Sequence, residues 1–161
     1  MNSALAQQNA NLSTKVFNSA LFDERTFYQT FTQDLASCKK EVIIESPYIT
    51  TERVKMLRPI FEKLLKIDTK IYVITRDPTE HNDNLEYQSE TAIRSFEVMG
   101  VQVLLCKGNH HRKLAILDRT ILWEGSLNIL SQTHSREVMR RIESSRITLE
   151  MFNFLNLKRF L

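Results

Sequence analysis

The chain has 161 residues but only two cysteines, no apolar run long enough to cross a bilayer and little excess charge of either sign. The cysteines, Cys38 and Cys106, are far apart and stand in no metal-ligand spacing. They argue against a disulfide framework or a metal module and are expected as reduced, largely buried thiols. The opening residues, Met1 to Gln8, lack both the basic cluster and the unbroken apolar core of a secretory leader. No later stretch approaches the roughly 20 apolar residues of a membrane-spanning helix. The expectation is a cytoplasmic protein that does not enter a membrane. Lys and Arg outnumber Asp and Glu by 22 to 19, a net +3, which fits a polyanionic partner without identifying one.

With 42% hydrophobic and 25% charged residues, the composition is that of an ordinary globular protein, of a length suited to one domain. Residues 1–22, rich in Asn, Gln, Ser and Ala, read as a leader or a short first helix, and residues 23–161 as the folded domain. Phe27, Phe31, Leu35 and Cys38 recur at helical spacing behind Asp23, a candidate N-cap. EVIIE (41–45), KIYVIT (70–75) and VQVLLC (101–106) read as buried strands. Helices are expected between them, over about 51–66 and then up to Gly100, a C-cap glycine. KLAIL (113–117) and TILW (120–123) predict a hairpin turning at Asp118-Arg119, EVMRRI (137–142) a last strand and residues 147–160 a final helix. Alternating strands and helices, followed by a run of strands, predict an α/β sandwich: a mixed central sheet with helices on both faces.

The chemistry-bearing residues are concentrated in the second half. Lys107, His110, His111, Arg112 and Lys113 form a basic cluster, followed by Arg136, Arg140 and Arg141. In an extended segment alternate side chains share a face, so His111 and Lys113 project into one cleft while the following residues turn apolar and enter the core. An imidazole is a good nucleophile near neutral pH. A lysine supplies a point charge for a phosphate oxygen, and Asn128 offers an amide donor to the same group. Gly125-Ser126 forms a small turn with backbone N–H groups and a hydroxyl at hand.

The pattern His111-x-Lys113-x4-Asp118-x6-Gly125-Ser126-x-Asn128 resembles the signature of the phospholipase D superfamily at every fixed position. The resemblance implies the phospholipase D-like α/β sandwich and a phosphodiesterase that needs no metal or other cofactor. It assigns the nucleophile to His111, which would form a covalent phosphohistidine. Phosphate binding falls to Lys113 and Asn128, a secondary contact to Ser126 and a structural role to Asp118. Glu137, at the start of the last strand, matches a glutamate that orients the histidine ring.

The signature occurs once, although the chemistry needs a second histidine to protonate the leaving oxygen and then activate water. His81, His110 and His134 lie outside any His-x-Lys frame, and His110 is expected only to add to the positive field. A homodimer placing a second His111 across a two-fold axis completes the site. Residues 123–131, with Ser135-Arg136-Glu137 and Arg140-Arg141, resemble bacterial nuclease modules linked to helicases, ATPases and restriction enzymes. That likeness implies an endonuclease on DNA, partnered by a helicase or ATPase module. Lys107, Arg112, Arg136 and Arg140 are the candidates for tracking the phosphate backbone. Tyr48 reads as a core or hinge aromatic, with base stacking at the rim as the other reading. The alternatives are a phospholipid phosphodiesterase of the same superfamily and a non-catalytic module that binds nucleic acid or dimerises.

Overall fold

The computed structural model describes residues 18–131 and 134–161. In chain order it forms β1 (Ser19–Asp23), α1 (Phe27–Ala36), β2 (Glu41–Glu45), α2 (Thr51–Lys66), β3 (Lys70–Arg76) and α3 (Asp83–Met99). These are followed by β4 (Gln102–Cys106), β5 (Leu114–Leu117), β6 (Ile121–Gly125), β7 (Val138–Glu143) and α4 (Ser145–Phe154). A 3-10 turn, Leu157–Phe160, closes the chain.

Val42, Ile43 and Ile44 of β2 are all inaccessible to solvent. A short strand apolar on both faces belongs in the interior of a covered sheet, and β2 lies there in the order β1-β7-β6-β5-β2-β3-β4. It pairs in parallel with β3, and β3 with β4, while every other pairing is antiparallel. Because side chains alternate along a strand, β2 feeds two cores. Val42 and Ile44 pack with Val73, Trp123 and the buried stripes of α1, α2 and α3, including Phe31, Phe61 and Phe96. Ile43 packs on the other side with Ile74, Ile116, Phe152 of α4 and Leu157. The expected mixed sheet with helices on both faces is the observed architecture.

Local chemistry sets the helix ends. Thr50, Asn82 and Ser144 each accept the N–H three residues ahead and cap α2, α3 and α4. Gly100, at φ 104°, ends α3 in the left-handed conformation that glycine tolerates.

Three sequence expectations shift. Residues 1–17 of the expected leader lie outside the described residues, but Ser19–Asp23 is an edge strand rather than leader or helix. Its register with β7, not a local pattern, makes it a strand: Leu21 pairs with Arg140 and Asp23 with Val138. Asp23 does not cap α1. Its carboxylate accepts the Thr26 N–H at 2.9 Å and hydroxyl at 2.7 Å, shaping the turn before a helix whose N-cap, Thr26, makes no side-chain capping bond to the helix. The final helix starts earlier than expected because Ser144 caps it, and it stops before Asn156, which turns left-handed at φ 50°. Among the described residues no helix is long and apolar enough to cross a membrane.

Candidate active site

The topology brings the motif to one edge of the sheet. Since β5 runs antiparallel to β2, residues entering β5 meet those leaving β2: Glu45 is paired with Leu114. Leu114 is paired with Glu124, and Gly125 with Met139, so the exit of β6 and the entry of β7 join the same edge. Ligand sites of sheets containing parallel strands form outside such strand ends.

His111 and Lys113 come together as their spacing predicts. The Lys113 ammonium lies 2.7 Å from His111 Nδ1 and also donates to the His111 carbonyl at 2.8 Å. An ammonium can only donate, so the ring nitrogen accepts and the imidazole is neutral. Loss of solvent, then the charges of Lys113 and Arg76, hold His111 below the ordinary histidine value of 6.5. Lys113 is itself lowered by desolvation, which the Glu137 carboxylate opposes.

These two side chains face a cleft of about 990 Å³ whose polar side includes Arg112, Gly125, Ser126 and Arg140. The other side is apolar, with Leu21, Val138, Met151 and Phe154. Leu21, Val138 and Phe154 are 62%, 51% and 83% exposed.

The Gly125-Ser126 turn is locked into the sheet. A Cβ on Gly125 would lie 2.1 Å from the Val138 carbonyl oxygen, so only glycine fits. Ser126 donates its N–H to the Val138 carbonyl at 2.9 Å, and its hydroxyl accepts the Val138 N–H at 3.0 Å. Gly125 N–H is directed at the Lys113 carbonyl at 3.3 Å. The backbone donors that the sequence reading offered to a phosphate are therefore committed to the ladder, and Ser126 shapes the cleft wall. Asn128 has a buried amide oxygen with no hydrogen-bond partner among the described residues; since that oxygen only accepts, the group able to meet a phosphate oxygen is the NH2 of the same amide.

Asp118 stands at the far end of β5 from Lys113. It and Arg119 take positive φ, 49° and 57°, in the hairpin turn. Its carboxylate accepts the backbone N–H groups of Lys39, Lys40 and Glu41 at 2.9, 2.8 and 2.9 Å, tying the α1–β2 loop to the hairpin. Glu137 accepts the Ser135 hydroxyl at 2.5 Å, and its field reaches Lys113. Among the described residues the groups that meet the His111 ring nitrogens belong to Lys113.

The other cations are dispersed. Arg140 is exposed along the cleft, Arg136 is exposed, and Lys107 is exposed with its ammonium 3.8 Å from Asp77. Arg112 is engaged by Glu45, and Arg141 by Asp34 and Glu143. His110 does not add to the positive field as expected. It turns towards Glu45, with Nε2 3.5 Å from the carboxylate, and burial lowers its affinity for a proton.

Sequence reasoning passed over Glu45, Arg76 and Glu80. A carboxylate ending the apolar run EVIIE was the available signal for the first; Arg76 ends β3 and Glu80 lies in the polar turn after it, with no signal of their own. Glu80 accepts the N–H groups of Gly108 and Asn109 and an Arg76 guanidinium N–H. Tyr48 is half-buried between two imidazoles, its ring centroid 5.0 Å from His81 and 6.2 Å from His111.

A fold and an edge-site of this kind define a phosphodiesterase fold, and comparison with known proteins places it. The profile described as cardiolipin synthase, PLD-like domain, matches residues 31–156. The chain belongs to this family, within the phospholipase D superfamily. Among solved structures it resembles NucT from Helicobacter pylori, at 20% identity and a TM-score of 0.69 over 84% of this chain and 91% of that one. It also resembles Nuc from Salmonella typhimurium, a phospholipase D family member, at 13% identity and a TM-score of 0.67, with the same coverage of 84% and 91%. The phosphatidylserine synthase of Haemophilus influenzae Rd KW20 aligns at 16% identity and a TM-score of 0.68 over 88% of this chain and 38% of the synthase. No curated protein matches the chain.

Proposed function

We propose that the protein is a metal-independent phosphodiesterase that hydrolyses DNA through a phosphohistidine at His111, in a site completed by a second copy of the chain. The observation that carries the reading is the contact between a neutral His111 and the Lys113 ammonium in an open cleft. An unprotonated imidazole is the nucleophilic form, and an adjacent cation that can move to an incoming phosphate provides charge where charge develops.

In the first step a His111 ring nitrogen attacks phosphorus. The bond to the leaving oxygen breaks, and that oxygen takes a proton from His111 of the partner subunit. The partner's imidazole then removes a proton from water, whose oxygen attacks phosphorus. The P–N bond breaks and its electron pair returns to His111. Lys113 and Asn128 hold the non-bridging oxygens, while Glu137 acts through Lys113. Arg140, Lys107 and Arg136 track the flanking phosphates without reading bases. Arg112 contributes less, because Glu45 already holds it.

The apolar side of the cleft supports the dimer. Large exposed apolar residues beside a polar site mark an interaction surface, and a second protomer would cover Leu21, Val138 and Phe154 while delivering its own histidine. The rival occupant of that surface is an acyl chain, which would favour a phospholipid phosphodiesterase. The likeness of residues 123–141 to modules linked to helicases and ATPases makes such a motor the proposed partner. The free thiols of Cys38 and Cys106 suit a reducing, cytoplasmic setting.

The test is incubation with plasmid and single-stranded DNA in EDTA, beside phosphatidylcholine vesicles, with the mass of the active species measured by analytical ultracentrifugation. The expected result is DNA cleavage by a dimer, lost in His111→Ala with DNA binding retained, and no lipid turnover. Strict metal dependence, turnover by a monomer or cleavage by His111→Ala would each overturn the mechanism.

A further inference from the structure

The segment that carries His111 has no ladder to hold it. Between Cys106, the end of β4, and Leu114, the start of β5, the backbone is irregular, with Gly108 and Asn109 both left-handed at φ 87° and 58°. Two carboxylates outside the cleft supply the missing constraint. Glu80 takes the N–H groups of Gly108 and Asn109 at 2.7 and 3.2 Å. Glu45, the last residue of β2 and wholly buried, binds Arg112 through both oxygens, at 2.6 and 3.1 Å. His110 Nε2 lies 3.5 Å from the same carboxylate without a hydrogen bond, so the hold on the segment comes through Arg112.

His110 and Arg112 are the immediate neighbours of His111. We propose that Glu45 is the positioning residue of this site, a buried carboxylate that grips Arg112, the residue next to His111, and so fixes the direction in which the imidazole points. The proposal rests on the reading of His111 as nucleophile. His111, Arg112 and Lys113 all line the cleft, and the Arg112 guanidinium reaches from its rim to Glu45. A planar guanidinium held at two points resists rotation as well as translation. Stability alone does not call for such a pair, because an apolar pair of similar volume at a buried site usually serves as well. Attack on phosphorus does call for it, since an error of about 1 Å in a reacting group costs roughly a hundredfold in rate.

Two variants separate positioning from folding. Glu45→Gln keeps the shape and removes the charge. The double variant Glu45→Met with Arg112→Met replaces the ion pair by an apolar one. The measurements are melting temperature, kcat and KM on plasmid DNA, and the Hε1 resonance of His111 in a carbon-edited NMR spectrum. Glu45→Gln should lower kcat roughly 10- to 100-fold with KM little changed. The double variant should melt near the wild-type temperature while its kcat stays low. The His111 resonance, single in the wild type, should broaden or split in both. Full kcat in Glu45→Gln, or recovery of kcat together with stability in the double variant, would overturn the proposal. So would an unaltered His111 resonance. If the wild type turns over no phosphodiester, the functional reading fails by itself and the resonance still decides whether Glu45 holds the ring.

Discussion

Replacing Asp118 with asparagine distinguishes a structural aspartate from one that acts on substrate. Its carboxylate receives Lys40 and Glu41 N–H groups on Oδ1 and the Lys39 N–H on Oδ2. Asparagine tolerates the left-handed backbone at this turn, where φ is 49°, so the exchange leaves the hairpin unstrained. The amide keeps one oxygen for one pair of donors but presents an NH2 group to the third. One charge-assisted bond is lost and two become neutral, at about 1.5–3 kcal/mol each for the charged form against about 0.5–1.5 for the neutral one. Water can reach the exposed Lys39 and Lys40 amides, which reduces the penalty to about 2 kcal/mol. Asp118→Ala should cost clearly more than the asparagine exchange, because all three bonds go and alanine pays a further ~1–2 kcal/mol in the left-handed region. Urea unfolding gives the stability, and kcat per folded molecule in EDTA gives the activity. Asp118 and Lys113 flank β5 at opposite ends, roughly 16 Å apart at ~3.3 Å per residue, so kcat should survive in the asparagine variant. Loss of turnover with an unfolding free energy within ~0.5 kcal/mol of the wild type would refute the structural reading.

Gly125→Ala should destabilise by about 3 kcal/mol and lower the melting temperature, because the new Cβ meets main-chain atoms that cannot rotate away. A wild-type melting temperature would contradict the close approach of β6 to Val138. Lys113→Met removes a positive charge that disfavours imidazolium, so the His111 pKa should rise, and with it the acid limb of kcat/KM or its NMR titration. In the wild type that limb should lie below 6.5, the ordinary histidine value; a limb that moves down in the variant would exclude Lys113 as the cause.

Much of this architecture was legible because local and long-range preferences agree. The run EVIIE is apolar on both faces and β-branched, and it became the covered strand β2. The hairpin at Asp118-Arg119 was readable from two β-rich runs flanking a polar pair, and both residues of the pair take positive φ. His111 and Lys113 were readable as neighbours because a strand repeats every two residues. Strand β1 was hidden because SALFD has no pattern of its own and depends on pairing with residues more than a hundred positions away. The partners of the cations were hidden for the same reason. Nothing in the sequence around Arg112 shows that Glu45 will face it across the β2–β5 pair, or that Asp34 on α1 will take both Arg141 and the Trp123 indole N–H. A positive cluster in sequence is thus an upper bound on the charge available to a ligand.

The same limit bears on the proposed dimer, in which one residue must do two opposite jobs. As nucleophile His111 must be neutral, and as acid the partner's His111 must carry a proton. The surroundings of a single protomer favour the neutral form, because desolvation, Lys113 and Arg76 all push in that direction. Two such imidazoles facing one cleft repel as cations, so the doubly protonated state is disfavoured further. The singly protonated state becomes favourable once a phosphodiester brings a negative charge between them. The titration then belongs to the pair, with macroscopic values that cannot be assigned to either copy. On this account the substrate places the proton. In the proposed mechanism the ammonium of Lys113, which contacts His111 in the free protein, would be drawn to the phosphate, leaving the imidazole with less positive charge beside it while the acid form is needed. A site with a second signature in one chain could tune its two histidines separately. A site made from two copies of one chain has to obtain the difference from the substrate, whose negative charge favours one imidazolium of the pair.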